Sequence, residues 1–354
     1  MQDDLFGNGS AEPKPAATHK TAGKAAAERK HVQPAETQAQ HIELAAGLPP
    51  QLRMGTSSWS YPGWTGHVWG SDVGEALLSK HGLPAYSRHP LLRTVSVDRA
   101  FYRALNVSQY AAYAAQVPED FRFIVKAPSS VCDVMVRDEQ GRGQQRNPVF
   151  LDAALAQQEF VQPALQGLRH KVGALVFQIS PLPHEWLRQR QRLLEHLHAM
   201  LRALPSLQPT APDGVVAVEF RDAAMVTPDL MPELVAMLRD VGATYCLGLH
   251  AKMPPIEAQL PILRALWPGP LVCRWNLHRR HGAYGYEDAR AMYAPFNRIQ
   301  DADLQTRDTL ARVIVGTTGA GQQAYVSISN KAEGCAPLSV ELLARAVRAQ
   351  MTAA

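Results

Sequence analysis

Several patterns are missing from this chain of 354 residues, and each absence excludes a class of protein. No run of about eighteen apolar residues occurs, so no transmembrane helix is predicted. Asp3 and Asp4 stand where a signal peptide would carry positive charge, and no apolar segment follows them, so a cytoplasmic location is expected. The four cysteines are widely separated and form no Cys-x-x-Cys pair, which predicts reduced structural thiols.

Motifs for nucleotide and hydrolase chemistry are also missing. There is no P-loop, no nucleophile elbow and no kinase motif, and no Gly-x-Gly-x-x-Gly follows the first apolar run. The formal net charge is only +4. A dedicated DNA-binding protein usually carries a stronger basic stripe. The charge therefore allows an anionic partner without requiring one.

What the chain does contain falls into two parts. Residues 7–50 are rich in Ala, Lys, Gln, Glu, Pro and Thr and hold no aromatic residue. Such a segment buries too little apolar area to offset its ordering entropy. We therefore predict a disordered N-terminal tail over residues 1–50 and one folded domain over residues 51–354.

From residue 51 onward, short apolar β-rich runs alternate with helix-like stretches. Eight such runs follow one another: 53–59, 93–102, 121–128, 174–180, 215–222, 244–250, 271–278 and 324–330. Alternation of this kind predicts parallel strands joined by right-handed crossovers. Eight units in about 300 residues favour an α/β fold of the TIM type, a (β/α)8 barrel. An open doubly wound sheet is the alternative.

Polar side chains stand at the ends of these runs, where a barrel places its active site. Lys126, Arg221 and Arg274 end the third, fifth and seventh runs, and alternate strands contribute to the same layers of a barrel. These three cations are predicted to meet at one mouth and to hold a phosphate or carboxylate. Glu219 and Asp98 beside them are candidate catalytic acids or bases. The alternative is an internal ion-pair network that only compensates buried charge.

Further candidates for ligand binding end the other runs. The first βα loop holds Trp59, Trp64 and Trp69, and exposed aromatic rings can stack on bases or sugars. The alternative is a loop that packs over the barrel rim. The remaining candidate ligand-binding residues are Gln178, Asn276, Asn330, Tyr102 and His250.

Metal binding has weaker support. Glu219, Asp98, His250 and His278 could face the mouth, but no His-x-x-x-His or His-Glu-x-x-His pattern supports a metal site. No metal-ligand set is assigned, and the cofactor stays unknown, with a divalent metal as an option. Residues 279–287, after the seventh run, form a polar loop that is a candidate lid.

The ordered motifs resemble a known family. The segments that carry this resemblance are MGTSSWSYPGW, FYR, FRFIVKAP, GALVFQISP, AVEFRD and NKAEGCAPLSV. Together they are similar to the YecE-like proteins, the domain-of-unknown-function 72 family, over about residues 53–350. The resemblance implies a TIM-type barrel related in shape to sugar isomerases and apurinic-site endonucleases. It implies no established reaction.

The chain departs from this family at several strand ends. Ser96 and Asp98 stand where the family usually has Glu-x-Asn, and Asn276 with Leu277 replaces His-Gly. Ser329 replaces the first residue of an Asn-Asn pair. Met225 stands where the family often has a Trp after the arginine of the fifth run. Loss of a Glu and a His argues further against a multi-metal site and leaves open whether a family activity persists.

The tail carries one motif of its own. Gln2, Asp4, Leu5 and Phe6 resemble the short peptide with which bacterial replication and repair proteins dock on the DNA sliding clamp. Leu and Phe would fill an apolar pocket on the partner, and Gln would add hydrogen bonds. The alternative is an apolar pair without a role.

The leading interpretation is a barrel that binds a phosphate-bearing ligand, either nucleic acid in DNA repair or processing or a phosphorylated small molecule. Two alternatives stay open: a sugar or sugar-phosphate isomerase or hydrolase, and a non-catalytic binding protein. No membrane association is expected.

Overall fold

The computed structural model describes residues 32–138 and 142–353. Within these residues, eight parallel strands close into a barrel in the order β1-β10-β9-β8-β7-β6-β3-β2, and β4 pairs with β5 in a separate antiparallel hairpin. The strands are β1 (Leu52–Thr56), β2 (Thr94–Val97), β3 (Arg122–Lys126), β4 (Met135–Arg137), β5 (Gly143–Arg146), β6 (Val172–Ile179), β7 (Val215–Phe220), β8 (Thr244–Leu249), β9 (Leu271–Trp275) and β10 (Ala324–Ile328).

Helices follow the strands around the outside of the barrel. They are α1 (Ala39–Ala46), α2 (Glu75–His81), α3 (Leu83–Tyr86), α4 (Arg99–Tyr102), α5 (Val107–Ala114), α6 (Ser129–Cys132), α7 (Ala153–Ala156), α8 (Gln162–Leu168), α9 (His184–Leu187), α10 (Arg190–Arg202), α11 (Met231–Asp240), α12 (Ile256–Ala265), α13 (Tyr286–Tyr293), α14 (Leu304–Gly319), α15 (Asn330–Glu333) and α16 (Ala336–Ala353). Short 3₁₀ segments cover Pro62–Trp64, Arg169–Lys171, Ala223–Val226 and Arg279–His281, and the π-helical segment Gln157–Val161 joins α7 to α8.

The barrel closes where its first and last strands pair. β1 and β10 run in register from Leu52 opposite Ala324 to Thr56 opposite Ile328. All eight barrel strands lie within the runs that the sequence predicted, except that β6 begins two residues earlier and β1 one residue earlier. This closure confirms the (β/α)8 barrel and excludes the open doubly wound sheet.

Apolar side chains fill both the lumen of the barrel and the layer between strands and helices. The lumen cluster consists of Ile124, Ala174, Val176, Ala217, Cys246, Val272 and Tyr325. Because successive side chains of a strand point to opposite faces, the apolar strand residues that alternate with this cluster pack outward against the helices. Strands buried on both faces read as continuous apolar runs, which explains why these strands were visible in the sequence.

The predicted tail boundary at residue 50 is wrong for residues 32–50. Val32 is buried, and residues 33–35 pair with the loop around Trp69 through backbone hydrogen bonds. Helix α1 then packs on α16, where His41 Nε2 lies 3.2 Å from a Glu341 carboxylate oxygen. The segment is ordered because it docks on the barrel, a stabilisation that its own composition does not reveal.

None of the helices in the described part of the chain has the length and apolar character that crossing a bilayer requires. All four cysteines are free thiols and are buried.

Candidate functional site

The carboxyl ends of the barrel strands and the loops that follow them form the mouth of the barrel. Each sequence-predicted candidate of the folded domain stands at or just beyond such an end. They are Trp59, Asp98, Tyr102, Lys126, Gln178, Glu219, Arg221, His250, Arg274, Asn276 and Asn330. Their contacts divide them into four groups. These are a buried network of ion pairs, the Lys126 amine, residues at the edge of the mouth, and residues that bind the backbone of the loops.

Arg274 is the centre of the charge network. One of its terminal nitrogens donates to both oxygens of Asp98, each at 2.8 Å. The other donates to Glu219 Oε2 at 2.5 Å and to Gln178 Oε1 at 3.2 Å. The side chain is almost fully buried. Every terminal donor group of Arg274 is therefore engaged within the protein, and the guanidinium organises its neighbours instead of facing a ligand.

A second guanidinium completes the network. Arg221 Nη2 donates to Gln178 Oε1 at 2.8 Å and lies 2.9 Å from Glu219 Oε1. Glu219 comes from β7 and Arg274 from β9, and Gly248 of the intervening β8 places no side chain between them. Within the described residues, the other terminal nitrogen of Arg221, Nη1, has one hydrogen-bond partner, the Tyr286 hydroxyl at 3.5 Å. This outer edge of Arg221 points toward the mouth.

The two carboxylates of the network are held in their charged form. Burial disfavours the charge of Glu219, but Arg221 and Arg274 outweigh burial and lower its pKa. Burial also opposes the charge of Asp98, and Arg274, Lys126 and the Ser96 hydroxyl at 2.7 Å together lower its pKa. Both carboxylates are weak bases near neutral pH, which argues against Glu219 or Asp98 as the principal proton acceptor.

Lys126 differs from the two arginines beside it. Its ammonium nitrogen lies 3.5 Å from the centre of the Phe101 ring, and the residue is 8 % exposed. Among the described residues, no carboxylate lies within ion-pair distance of this nitrogen, because Asp98 and Glu219 are bound to guanidinium groups. Burial, followed by repulsion from Arg274, lowers the pKa of Lys126 to about 7.

His250 and Tyr286 form one side of the mouth. Their rings lie 5.2 Å apart, and His250 Nδ1 accepts a hydrogen bond from the Lys252 backbone at 3.0 Å. Burial, followed by the charge of Arg221, lowers the pKa of His250 to about 3. The imidazole is therefore neutral at physiological pH, with its proton on Nε2.

Two lysines stand on the rim of the mouth. The Lys252 ammonium lies 4.3 Å from the centre of the Tyr284 ring, and that of Lys331 lies 5.7 Å from the Tyr286 ring centre. Asp222 and Glu287 attract these lysines only from beyond ion-pair distance. The rim therefore keeps positive charge that the described part of the chain does not pair directly.

Exposed aromatic rings occur at the mouth, but they are not the predicted tryptophans. Trp59 is 7 % exposed, and Trp64 and Trp69 are fully buried. Trp59 packs edge-on against Tyr113, and Trp64 stacks on Trp69. These rings are not exposed, because the loop folds inward over the barrel rim, and their burial favours the alternative of a loop that packs on the barrel.

Tyr102 and Tyr284 are the exposed rings of this face, at 83 % and 87 % exposure. Tyr102 follows β2 within α4, where its ring lies edge-on to Phe101 at 5.4 Å. Tyr284 lies in the loop after β9, beside Lys252. Among the described residues of this face, these two rings are therefore the most accessible to a ligand.

Asn276 and Asn330 hold the backbone. Asn276 Nδ2 donates to the Arg274 carbonyl at 3.1 Å. Asn330 Oδ1 accepts from Trp64 Nε1 at 3.0 Å and from the Ala336 backbone at 2.8 Å, which ties the first loop to α16. Both side chains are buried, so their geometry favours a structural role over direct ligand contact.

The candidate lid at residues 279–287 is partly fastened. Arg279 donates to the Met253 carbonyl, and Arg280 binds Asp301. His281 Nε2 lies 2.7 Å from the Tyr293 hydroxyl, which donates to Asp301 at 2.6 Å. The cations of this loop are therefore committed to protein groups.

No group of three or more His, Cys, Asp or Glu side chains within residues 32–138 and 142–353 could hold a metal ion. Asp98 and Glu219 do not contribute to such a group, because their oxygens accept hydrogen bonds from arginine.

The residues that depart from the family pattern have their own partners. Ser96 donates to Asp98, and the Ser329 hydroxyl accepts from the Lys331 backbone at 3.2 Å, which caps α15. Lys252, Lys331 and Tyr286 were not among the residues predicted from the sequence to bind a ligand. Lys331 follows Asn330 directly, so inspection one position beyond each strand-end candidate would have found it.

The comparisons with known proteins agree with this architecture. The family model described as protein of unknown function DUF72 matches residues 53–354. A DUF72 family protein of Enterococcus faecalis V583 superimposes with a TM-score of 0.54 at 16 % identity, over 84 % of this chain and 95 % of that one. A DUF72 family protein of Thermotoga maritima MSB8 gives a TM-score of 0.50 at 16 % identity, over 86 % and 99 %.

No curated protein matches the chain. At 16 % identity the two solved structures establish a shared fold and carry no information on a reaction. The family model covers most of the chain, and the motifs that it spans are those that build the barrel mouth. The chain therefore belongs to the DUF72 family.

Proposed function

We propose that the mouth of the barrel binds a ligand that carries a phosphate or carboxylate group. The observation that supports this proposal is the uneven pairing of charge. The charges of Arg221 and Arg274 are balanced by Glu219 and Asp98. Lys126 and the two rim lysines have no carboxylate within ion-pair distance among the described residues. A surplus of cations in a cleft attracts an anion.

The proposal assigns different tasks to the candidate residues. Lys252, Lys331 and the outer edge of Arg221 contact the anionic group, and charge-assisted hydrogen bonds supply the affinity. Tyr102 and Tyr284 pack on the uncharged part of the ligand. Arg274 is a positioning residue, since it acts through Asp98 and Glu219.

A thermal-shift screen of the full chain tests the proposal. Orthophosphate, pyrophosphate, sugar phosphates and nucleotides are the probes, and neutral sugars serve as controls. Because a ligand that binds only the folded state raises the unfolding temperature, anionic probes should stabilise the protein and neutral sugars should not. The shift should shrink in a Lys331→Met variant and persist in Lys80→Met, which removes an exposed lysine outside the mouth. Equal shifts in both variants would overturn the rim assignment.

A role in DNA repair or processing is a second candidate, and the sequence of the N-terminus favours it. Gln2, Leu5 and Phe6 lie outside the described residues, so the clamp-binding motif stays a prediction. A pull-down of bacterial sliding clamp by the full chain and by a Leu5→Ala, Phe6→Ala variant tests it. Binding only by the unmodified chain supports clamp association, whereas equal binding, or none, contradicts it.

Two alternatives use the same mouth differently. A sugar or sugar-phosphate isomerase or hydrolase would convert a bound probe, and a non-catalytic protein would release it unchanged. Incubation of each stabilising probe with the protein, followed by NMR of the small molecule, distinguishes the two: new resonances indicate an enzyme, and an unchanged spectrum indicates a binding protein.

A further inference from the structure

We propose that Lys126 is a nucleophilic amine that forms an imine with an aldehyde or ketone bearing a phosphate or carboxylate group. This inference rests on the proposed function, because the rim cations hold the anionic group of the same molecule. It adds the reacting atom and the class of substrate.

The placement of Lys126 is the first support. It is the last residue of β3, at the strand end where barrel enzymes place reacting groups. Its amine lies over the apolar face of Phe101. A buried lysine that only stabilises a fold normally has a carboxylate partner. Here the nearby carboxylates are taken by Arg221 and Arg274, so the amine is left available.

The charges around Lys126 give the second support. Arg274 and Arg221 repel its proton, and Asp98 and Glu219 attract it from beyond ion-pair distance. The nearby Cys132 thiol stays protonated, because burial raises its pKa. Burial and Arg274 bring the pKa of Lys126 down to about 7, so a large fraction of the amine is neutral at physiological pH. Neutral amines attack carbonyl groups, and a desolvated lysine is the usual source of one.

The chemical step is a condensation that balances within the named groups. The lone pair of Nζ forms a bond to the carbonyl carbon, and the carbonyl π electrons move to oxygen. The two amine hydrogens leave with that oxygen as water, which gives a neutral imine. A proton from solvent then converts the imine to the iminium, an electron sink for bond cleavage or isomerisation next to the former carbonyl.

Reductive trapping tests this inference. The full chain is incubated at pH 7 with sodium cyanoborohydride and one of four probes: glyceraldehyde 3-phosphate, glyoxylate, propionaldehyde or an oligonucleotide with one abasic site. The reductant delivers hydride to the imine carbon and leaves a stable secondary amine. Intact mass spectrometry and peptide mapping locate the product. We expect one adduct per chain at Lys126 with an anionic probe, and at least ten-fold less with neutral propionaldehyde.

The oligonucleotide arm separates the two sources of such a carbonyl. Trapping of the abasic site, but not of the small molecules, would identify DNA as the source. Trapping of the small molecules alone would identify a phosphorylated or carboxylated metabolite.

Substitutions of Lys126 show whether this residue carries the adduct. Lys126→Arg keeps a cation at the site but cannot form the imine, and it should lose the adduct while retaining its circular dichroism spectrum. Lys80→Met should trap as the unmodified chain does. If Lys126→Met fails to fold, Lys126→Arg still decides the question. Adducts spread over surface lysines, or an undiminished adduct in Lys126→Arg, would overturn the proposal.

The outcome also separates this inference from the proposed function. Stabilisation by phosphate probes without an adduct at Lys126 would overturn the imine and leave anion binding intact. Absence of both would overturn both.

Discussion

Arg274 shows how a strand-end cation is committed within the protein. Asp98 and Glu219 neutralise it, and its terminal nitrogens have no donor left for a ligand. Lys126 lies nearby in the opposite situation: its amine lies over the Phe101 ring, and no carboxylate of the described residues lies within ion-pair distance of it. Two basic residues that both lie near strand ends therefore have different tasks.

Replacement of Arg274 by Met should lower the free energy of unfolding by about 3–5 kcal/mol, because two buried carboxylates lose their partner. The control is Arg345→Met, which breaks an exposed pair with Glu341 and should cost under about 1 kcal/mol. Urea unfolding of both variants measures the difference. Similar losses in the two would show that the network does not hold the mouth together.

Lys126 should give the protein an unusual dependence of stability on alkaline pH. Its folded-state pKa of about 7 lies below the ordinary value of 10.5, so the unfolded chain binds more protons between these values and stability rises with pH there. Relative to Lys126→Met, the unmodified chain should gain roughly 3–4 kcal/mol between pH 6.5 and pH 10. Urea unfolding at both pH values measures this gain. A constant difference between the two proteins would mean that the lysine is solvated and carries an ordinary pKa.

The residue assignments were only partly predictable. The strand-end candidates Arg221, Arg274, Glu219 and Asp98 were visible because charged residues interrupt apolar runs. Which carboxylate pairs with which cation was not visible. Asp98 follows β2 and Glu219 lies in β7, and the cations next to them are set by the closed barrel. The burial of Trp64 was equally hidden, because its partner Asn330 is remote in sequence.

The elements of the barrel depend on a close approach between β1 and β2. A Cβ atom added at Gly55 would lie 1.8 Å from the Thr94 carbonyl oxygen, so a side chain at this position would push the two strands apart. The strands pair through only two positions, Gly55 opposite Thr94 and Thr56 opposite Val95. Such a short pairing has little capacity to absorb a displacement.

Gly55→Ala should therefore lower the free energy of unfolding by roughly 1–3 kcal/mol, the usual cost of overpacking. Gly316→Ala is the matched control: it lies within α14, and an added Cβ meets no atom within 4 Å. This second change should raise stability by roughly 0.5–1 kcal/mol, since alanine favours helix. Thermal unfolding of both variants checks the signs. Equal effects would contradict the close approach.

The elements could be predicted where their periodicity was strong. β3, β6 and β8 are buried on both faces, so their apolar runs stand out from the flanking sequence. Helix α1 was missed, because its stability depends on α16 more than 290 residues later, where His41 meets Glu341. The β4–β5 hairpin was also missed, since its strands are short and largely exposed.

At the scale of the whole molecule, charge is arranged unevenly. The barrel mouth combines a network of balanced charge with surplus cations at Lys252 and Lys331. The opposite end of the barrel holds Arg53 and Arg122, and both pair with Asp213. One end of the barrel therefore has its cations matched to a carboxylate, and the other presents cations without that match in the described residues. A low overall net charge concealed this asymmetry in the sequence.

The affinity of the mouth for a small anion is the most direct test of anion binding by the rim lysines. Isothermal titration of pyrophosphate into the full chain, Lys80→Met and a Lys252→Met, Lys331→Met variant measures it at low and at physiological salt. A hydrogen bond to a charged group contributes about 1.5–3 kcal/mol, and 1.4 kcal/mol is a factor of ten in affinity. The full chain and Lys80→Met should bind equally, and the double variant should lose at least ten-fold in affinity. Undiminished binding by the double variant, or none by the full chain, would contradict anion binding by the rim lysines.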